Sequence, residues 1–216
     1  MDETNTAYLD WDRKWQTPEE RSAWSVPEKD VEDLIPFLKE KNVERVLDLG
    51  CGVGRHSLLF AREGFEVHAL DRSNAGIAFL QREAGAAGLD IRTALSDMTV
   101  LPYQNCFFDL VMAWHVIYHG DLSIVTRVIS EITRVLNREG FFLGTMISLR
   151  SPNRGKRISY NTYISDEESD KSHPHFYSGF RDVCGLLDGY EPWFLRDQEH
   201  ADRESFHWRI LAQKLS

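Results

Sequence analysis

An apolar run, Val46-Leu47-Asp48-Leu49, breaks directly into Gly50-Cys51-Gly52-Val53-Gly54 and then into a helix-forming stretch. Glycines at alternate positions permit a tight turn and let the backbone approach a ligand with no side chain between them. A strand feeding such a turn and then a helix is half of a βαβ unit, and the following sequence keeps the alternation. Strands are expected at Val43–Leu49, Phe65–Leu70, Ile91–Leu95, Phe107–Trp114 and Gly140–Ile147. Helices are expected at Gly54–Arg62, at Ser73–Ala87 (with Ser73 as N-cap and Gly88 as its stop) and at Asp121–Leu136. In the last of these Val125, Val128, Ile129, Ile132, Val135 and Leu136 share one face. Crossovers of helix length predict an α/β fold with a doubly wound, mostly parallel sheet covered on both faces. At 216 residues the chain has room for one such domain.

The second strand ends in Ala69-Leu70-Asp71, 19 residues beyond Gly52. A carboxylate there stands at the end of the neighbouring strand, where it can accept both hydroxyls of a ribose. Two cofactor classes use this device. Dinucleotide enzymes take G-x-G-x-x-G, and here the third glycine position falls on Arg55. Asp48, two residues before Gly50, would repel a pyrophosphate but attract a ligand carrying an ammonium or sulfonium charge. The residues thus favour S-adenosylmethionine over a nicotinamide dinucleotide.

At this point the chain resembles the class I S-adenosylmethionine-dependent methyltransferases. The run from Val46 through Gly54-Arg55-His56 carries the first motif, and Asp71 matches the ribose-binding acid, followed here by Arg72-Ser73. Ser96-Asp97-Met98, just past the third strand, matches the place that receives adenine. The resemblance implies that Asp97 takes the exocyclic amine and that Met98 lines the ring. Phe108-Asp109-Leu110-Val111 matches the fourth strand, and Leu136 to Phe142 the turn into the fifth, with Arg138-Glu139-Gly140 where Pro-Gly-Gly is usual. The family implies a Rossmann-like methyltransferase fold, a seven-stranded sheet whose last strand is antiparallel. The cofactor contacts it implies are Asp48, Gly50, Cys51, Gly52, Gly54, Asp71, Arg72, Asp97, Met98, Trp114 and His115. Gly-Arg-His after the glycines and the tryptophan-rich start look loosely like the small-molecule enzymes of the tellurite-resistance and thiol type.

Residues 1–42 read as an N-terminal helical cap on a methyltransferase domain of residues 43–216. The first forty positions hold eleven acidic residues against five basic ones. Thr17-Pro18-Glu19-Glu20 has the form of a capping box, and a helix after Pro27 should kink at Pro36. Trp11, Trp15 and Trp24 either pack this cap onto the domain or close over a ligand. Residues 150–177 contain turn and charge residues, including Asp166-Glu167-Glu168, and read as a lid or acceptor-pocket excursion. A short helix around Phe180–Leu187 and an antiparallel pair, Tyr190–Arg196 with Ser205–Lys214, should close the sheet edge.

In a doubly wound sheet the carboxyl ends of the central strands line the reaction crevice. Trp114-His115-Val116-Ile117-Tyr118-His119 follows the fourth strand, so His115 and His119 are the candidate catalytic residues, able to take a proton from a thiol, hydroxyl or amine. The Asn/Asp-Pro-Pro-Tyr run of nucleobase and amide N-methyltransferases is missing there. His173, His175 and His207 belong to an acceptor pocket, with Arg150, Arg154 and Arg157 available to an anionic acceptor. His173 and His175, at i and i+2, can ligate a metal, but no further Cys or His pair has the spacing of a defined metal centre.

The formal charge of −9 disfavours a nucleic-acid partner. No stretch reads as a membrane span or signal peptide, and three scattered cysteines suit a reducing cytoplasm. The expectation is a cytoplasmic S-adenosylmethionine-dependent methyltransferase acting on a small-molecule nucleophile. Alternatives are a non-catalytic S-adenosylmethionine-binding sensor or partner subunit, or an NAD-dependent oxidoreductase. Oligomeric state is open.

Overall fold

Four short helices precede the first strand: α1 (Ala7–Lys14), α2 (Pro18–Ala23), α3 (Lys29–Glu32) and α4 (Ile35–Glu40). The alternating half follows as β1 (Arg45–Leu49), α5 (Arg55–Arg62), β2 (Glu66–Asp71), α6 (Asn74–Ala87), β3 (Ile91–Leu95), β4 (Phe108–Ala113), α7 (Leu122–Val135) and β5 (Leu136–Ile147). The remainder comprises β6 (Lys156–Ser159), β7 (Thr162–Ile164), β8 (His175–Phe176), α8 (Phe180–Leu186), β9 (Tyr190–His200) and β10 (Ser205–Lys214). This computed structural model describes residues 5–152, 154–165, 172–200 and 205–215; Asp166, Glu167 and Glu168 lie outside them.

Seven strands form one sheet in the order β3-β2-β1-β4-β5-β10-β9. The pairings from β3 to β5 are parallel, and β10 runs antiparallel to both its neighbours. The expected architecture is therefore the observed one, a doubly wound sheet with an antiparallel last strand. The period of two along β1 explains the layers. Leu47 and Leu49 face a core shared with Val125, Val128, Ile129 and Ile132 of α7, whereas Val46 faces Val31, Ile35, Leu38 and Phe60. Among the described residues no helix is long and apolar enough to cross a membrane.

Several local expectations are met by specific bonds. The Ser73 hydroxyl accepts the Gly76 N–H as N-cap of α6, which ends at Gly88 with φ 66°. Asp121 caps α7 through the amides of Ser123 and Ile124. Others need correction. Thr17 caps no amide; its hydroxyl instead donates to the Lys14 carbonyl, so the capping box does not form. The helix after Pro27 is interrupted rather than kinked, because Pro36 has no N–H to donate and falls in the first turn of the new helix α4. Within the excursion of residues 150–177, β6, β7 and β8 pair as a small three-stranded sheet. Glu139, where the family turn has glycine, sits at φ 60°, a conformation a side chain tolerates at some cost.

Candidate active site

The carboxyl ends of β1, β2 and β4 meet the loop after β3 around one groove. Gly50, Gly52 and Gly54 all have positive φ (70°, 53° and 84°), which explains three glycines in five positions. The Gly50 and Cys51 amides donate to the Leu70 carbonyl at 2.7 and 3.0 Å, locking the turn to β2. Asp71 sits across that turn. Its carboxylate accepts the Gly52 N–H at 2.8 Å and the Ser73 N–H at 2.7 Å. Burial pushes the Asp71 pKa up against the pull of those amides.

Asp48 is 2% exposed and accepts the Ser57 hydroxyl at 2.6 Å. Burial pushes its carboxyl up to about 6, with Ser57 and Arg55 pulling the other way. Asp97 binds the Thr99 amide and hydroxyl, the Asn5 side chain and the Arg72 guanidinium, each at 2.8 Å. These partners outweigh its desolvation and hold the carboxyl below its usual range. Asp48, Gly50, Cys51, Gly52, Asp71, Arg72, Asp97, Met98, Trp114, His115 and His119 all line the groove. Gly54 is not part of the lining: it stands at the N-terminus of α5, packed on Leu80.

Helix α1 closes the groove from outside. Asp12 accepts the Ser73 hydroxyl at 2.8 Å and the Ala75 amide at 3.0 Å. Tyr8 lies 3.6 Å from the Arg72 guanidinium, measured to its ring centre. Trp11 stacks on Trp15 at 5.0 Å, and Trp24 meets both edge-on. The Trp15 ring approaches the glycine turn so closely that a Cβ on Gly52 would fall 3.1 Å from it. All three tryptophans line the groove, whose volume is about 110 Å³. His56 joins cap to domain: its Nε2 accepts the Glu28 amide at 3.1 Å, and burial lowers its pKa to about 3.

A second cavity, of about 400 Å³, shares Trp11, Trp24, His115 and His119 with the groove and adds Tyr118, His175 and His207. His115 stands where the two meet. Its backbone has φ 58°, and its N–H donates to the Thr145 hydroxyl at 2.8 Å. Its Nδ1 is 3.3 Å from both the Tyr118 and Thr145 hydroxyls. Strain of this kind, imposed on a histidine at a strand end, is typical of functional positions. The His115 Nε2 is 3.8 Å from the Glu28 carboxylate, and His119 likewise turns both ring nitrogens to protein atoms: Nε2 to the His115 carbonyl at 3.1 Å and Nδ1 to the His173 Nε2 at 2.8 Å. Arg150, Arg154 and Arg157 line neither cavity; they hold Asp197 and the carbonyls of Leu149 and Ser159.

Sequence reasoning missed Asn5 and Tyr8, which precede any periodic segment, and Glu28 and His200, which lie near His115 only in three dimensions. Glu28 ion-pairs with Arg55 at 3.1 Å. Although burial opposes it, the bond from His200 and the Arg55 charge bring its pKa down to about 2.

Sheet order, glycine turn and strand-end acids together define a Rossmann-like methyltransferase fold. Residues 46–140 match the family model of a methyltransferase domain. This matched segment is similar to the class I S-adenosylmethionine-dependent methyltransferases. Among curated relatives, it is 32% identical over 111 residues to the probable S-adenosyl-L-methionine-dependent methyltransferase TehB of Haemophilus influenzae, covering 51% of this chain and 38% of that protein. It is 30% identical over 170 residues to malonyl-(acyl-carrier protein) O-methyltransferase of Salmonella typhimurium, covering 73% and 62%. The chain thus spans less than two thirds of the length of these relatives. The Burkholderia thailandensis 1,6-didemethyltoxoflavin-N1-methyltransferase, solved with 1,6-didemethyltoxoflavin and S-adenosylhomocysteine, superposes with a TM-score of 0.74 at 16% identity over 97% of this chain and 87% of that one, and shares its fold.

Proposed function

We propose that the chain transfers the methyl group of S-adenosylmethionine to a small-molecule nucleophile bound in the histidine-lined cavity, acting in the cytoplasm. The observation that carries this reading is the junction at His115, where the acid-lined groove opens into a second cavity large enough for a small ligand. The donor set suits the cofactor. Asp71 can take the ribose hydroxyls on the lone pairs its two amides leave over, Asp97 and Met98 border the adenine, and Asp48 faces the cationic methionine end. When bound, S-adenosylmethionine supplies an activated methyl group on a sulfonium.

The protein's own part is alignment and dryness. Near-attack positioning is worth about 7–11 kcal/mol in favourable cases, and the three tryptophans of the cap exclude water from the junction. In this reading residues 1–42 act as a lid. Helix α1 lies across the groove, with Tyr8, Trp11 and Trp15 among its lining, and would cover a bound cofactor. His115 is the base of this reading: it stands where the groove meets the second cavity, and the Glu28 carboxylate 3.8 Å from its Nε2 would stabilise the imidazolium that forms. A thiol or hydroxyl in the second cavity would give its proton to the His115 imidazole as its lone pair attacks.

The test is formation of S-adenosylhomocysteine against a panel of thiols, phenols and amines. We expect turnover with at least one class and a loss of about 10²–10⁴-fold in His115→Ala, the ordinary range for a general base. Tight cofactor binding with no turnover on any acceptor would point to a sensor instead.

Asp48 adds a pH dependence. Its folded-state carboxyl titrates near 6, and a cation beside it lowers that value by favouring the charged form. Affinity for S-adenosylmethionine is therefore full above pH 6 and falls by about tenfold per unit below it. Calorimetry from pH 5 to 8 checks this; Asp48→Asn should bind weakly and flatten the profile. An unchanged slope in that variant would remove Asp48 from the ligand.

A further inference from the structure

Three histidines converge beside the second cavity. His119 follows β4, and His173 and His175 lie at the start of β8; they are 5%, 2% and 3% exposed. One ring nitrogen from each falls within 4.8 Å of the other two. The segments carrying them are tied by backbone bonds: Gly120 N–H to the Pro174 carbonyl at 2.8 Å, and Phe176 N–H to the Tyr118 carbonyl at 2.9 Å. The cluster is thus fixed by the fold before any ligand arrives.

The opposite nitrogen of each ring faces an oxygen acceptor. His119 Nε2 meets the His115 carbonyl at 3.1 Å, His173 Nδ1 the Asp10 carboxylate at 3.1 Å, and His175 Nδ1 the His173 carbonyl at 2.8 Å. Carbonyls and carboxylates only accept, so each of these nitrogens carries its proton. In the neutral rings the lone pair then sits on the inward nitrogen. For His119 and His173 the inward atoms are 2.8 Å apart, a contact that needs an electropositive centre between them. A proton on one ring would serve that pair, whereas a metal ion would serve the three inward nitrogens together.

We infer that His119, His173 and His175 form a binding site for a divalent transition metal, zinc foremost. Imidazole nitrogens suit zinc, cobalt, nickel and copper rather than magnesium or calcium. Tetrahedral ligands at about 2.0–2.1 Å from zinc stand roughly 3.3 Å apart, between the 2.8 Å contact and the 4.8 Å limit of this cluster. The Asp10 carboxylate behind His173 and the carbonyls behind the other two rings match the outer partners that orient metal-bound histidines. His119 and His175 also line the 400 Å³ cavity, so the fourth position faces the space assigned above to the acceptor. On that reading, the metal selects a thiol or hydroxyl acceptor. Such a group would ligate as its anion, its proton passing to the His115 imidazole; its lone pair would then form the bond to the methyl carbon while the sulfonium C–S bond breaks, releasing S-adenosylhomocysteine. A second grouping, Glu28 with His115 and His200, is less suited because Arg55 already neutralises Glu28.

Cobalt(II) titration of the metal-free full chain, followed by visible absorption and calorimetry, tests the site. The expected result is one saturable equivalent with the intense absorption of low-coordinate cobalt, displaced by zinc. It should be retained in His207→Ala and lost in the His173→Ala/His175→Ala double variant, and Asp10→Asn should weaken it by about 10–100-fold. Wild-type protein without a saturable equivalent, or an equivalent that survives in the double variant, overturns the proposal. Binding of S-adenosylhomocysteine to the metal-free chain is measured in parallel. Its failure would sink the methyltransferase reading and leave the metal site standing, whereas cobalt failure with the nucleoside bound would sink the metal site alone.

Discussion

Asp71→Ala lowers affinity for S-adenosylhomocysteine by about 10²- to 10⁴-fold. Each hydrogen bond to a charged group is worth about 1.5–3 kcal/mol, and a ribose offers two. Part of the effect is local to the protein, because the Gly52 and Ser73 amides lose their acceptor as well. Asp71→Asn separates the contributions. Its carbonyl oxygen keeps one amide bond and most of the shape, so thermal stability recovers more than affinity does. Calorimetry and thermal melts on both variants check the expectation. An alanine variant that binds as tightly as the parent chain would contradict the ribose assignment.

Gly54→Ala destabilises the whole domain by about 3 kcal/mol. A left-handed backbone costs a non-glycine residue about 1–2 kcal/mol, and overpacking typically about 1–3. Gly54 has φ 84°, and a Cβ there would lie 2.3 Å from Leu80 Cδ1, whose side chain is fully buried. For a chain of this size the change corresponds to a melting point lower by about 6–12 °C. Gly85→Ala, inside α6 with nothing within 4 Å of the added methyl, is the matched control and should stabilise by about 0.5–1 kcal/mol. Equal melting points for the two variants would show that the turn can open at no cost.

The contrast between these two glycines shows how legibility varies along the chain. Gly54 could be marked from sequence because a strand, a turn and a helix in succession demand positive φ. Asp71 was marked because it ends a strand whose direction the alternation had set, Asp48 by the charge it would present to a ligand, and Asp97 through the resemblance to the methyltransferases. His115, like Asp71, was placed by the end of its strand, but its φ of 58° was not visible, since a forced backbone is imposed by neighbours such as Thr145. The cap was the weakest part. Its capping-box letters were present, yet Thr17 Oγ1 turned to Lys14, and the tryptophans gave no hint of which glycine they would meet.

Hydrophobic period and glycine spacing are local quantities, and they determined the alternating strands and helices, their winding and the place of the glycine turn; the seven-strand count and the adenine side of the groove came from the resemblance to the methyltransferases. Only the tertiary structure decided that α1 would lie across that groove, and that histidines 54 and 56 positions apart would turn their nitrogens toward a common centre. Those arrangements depend on contacts between distant segments. Their free energy comes from packing and shared polar partners, and it leaves no periodic trace in the chain that makes them.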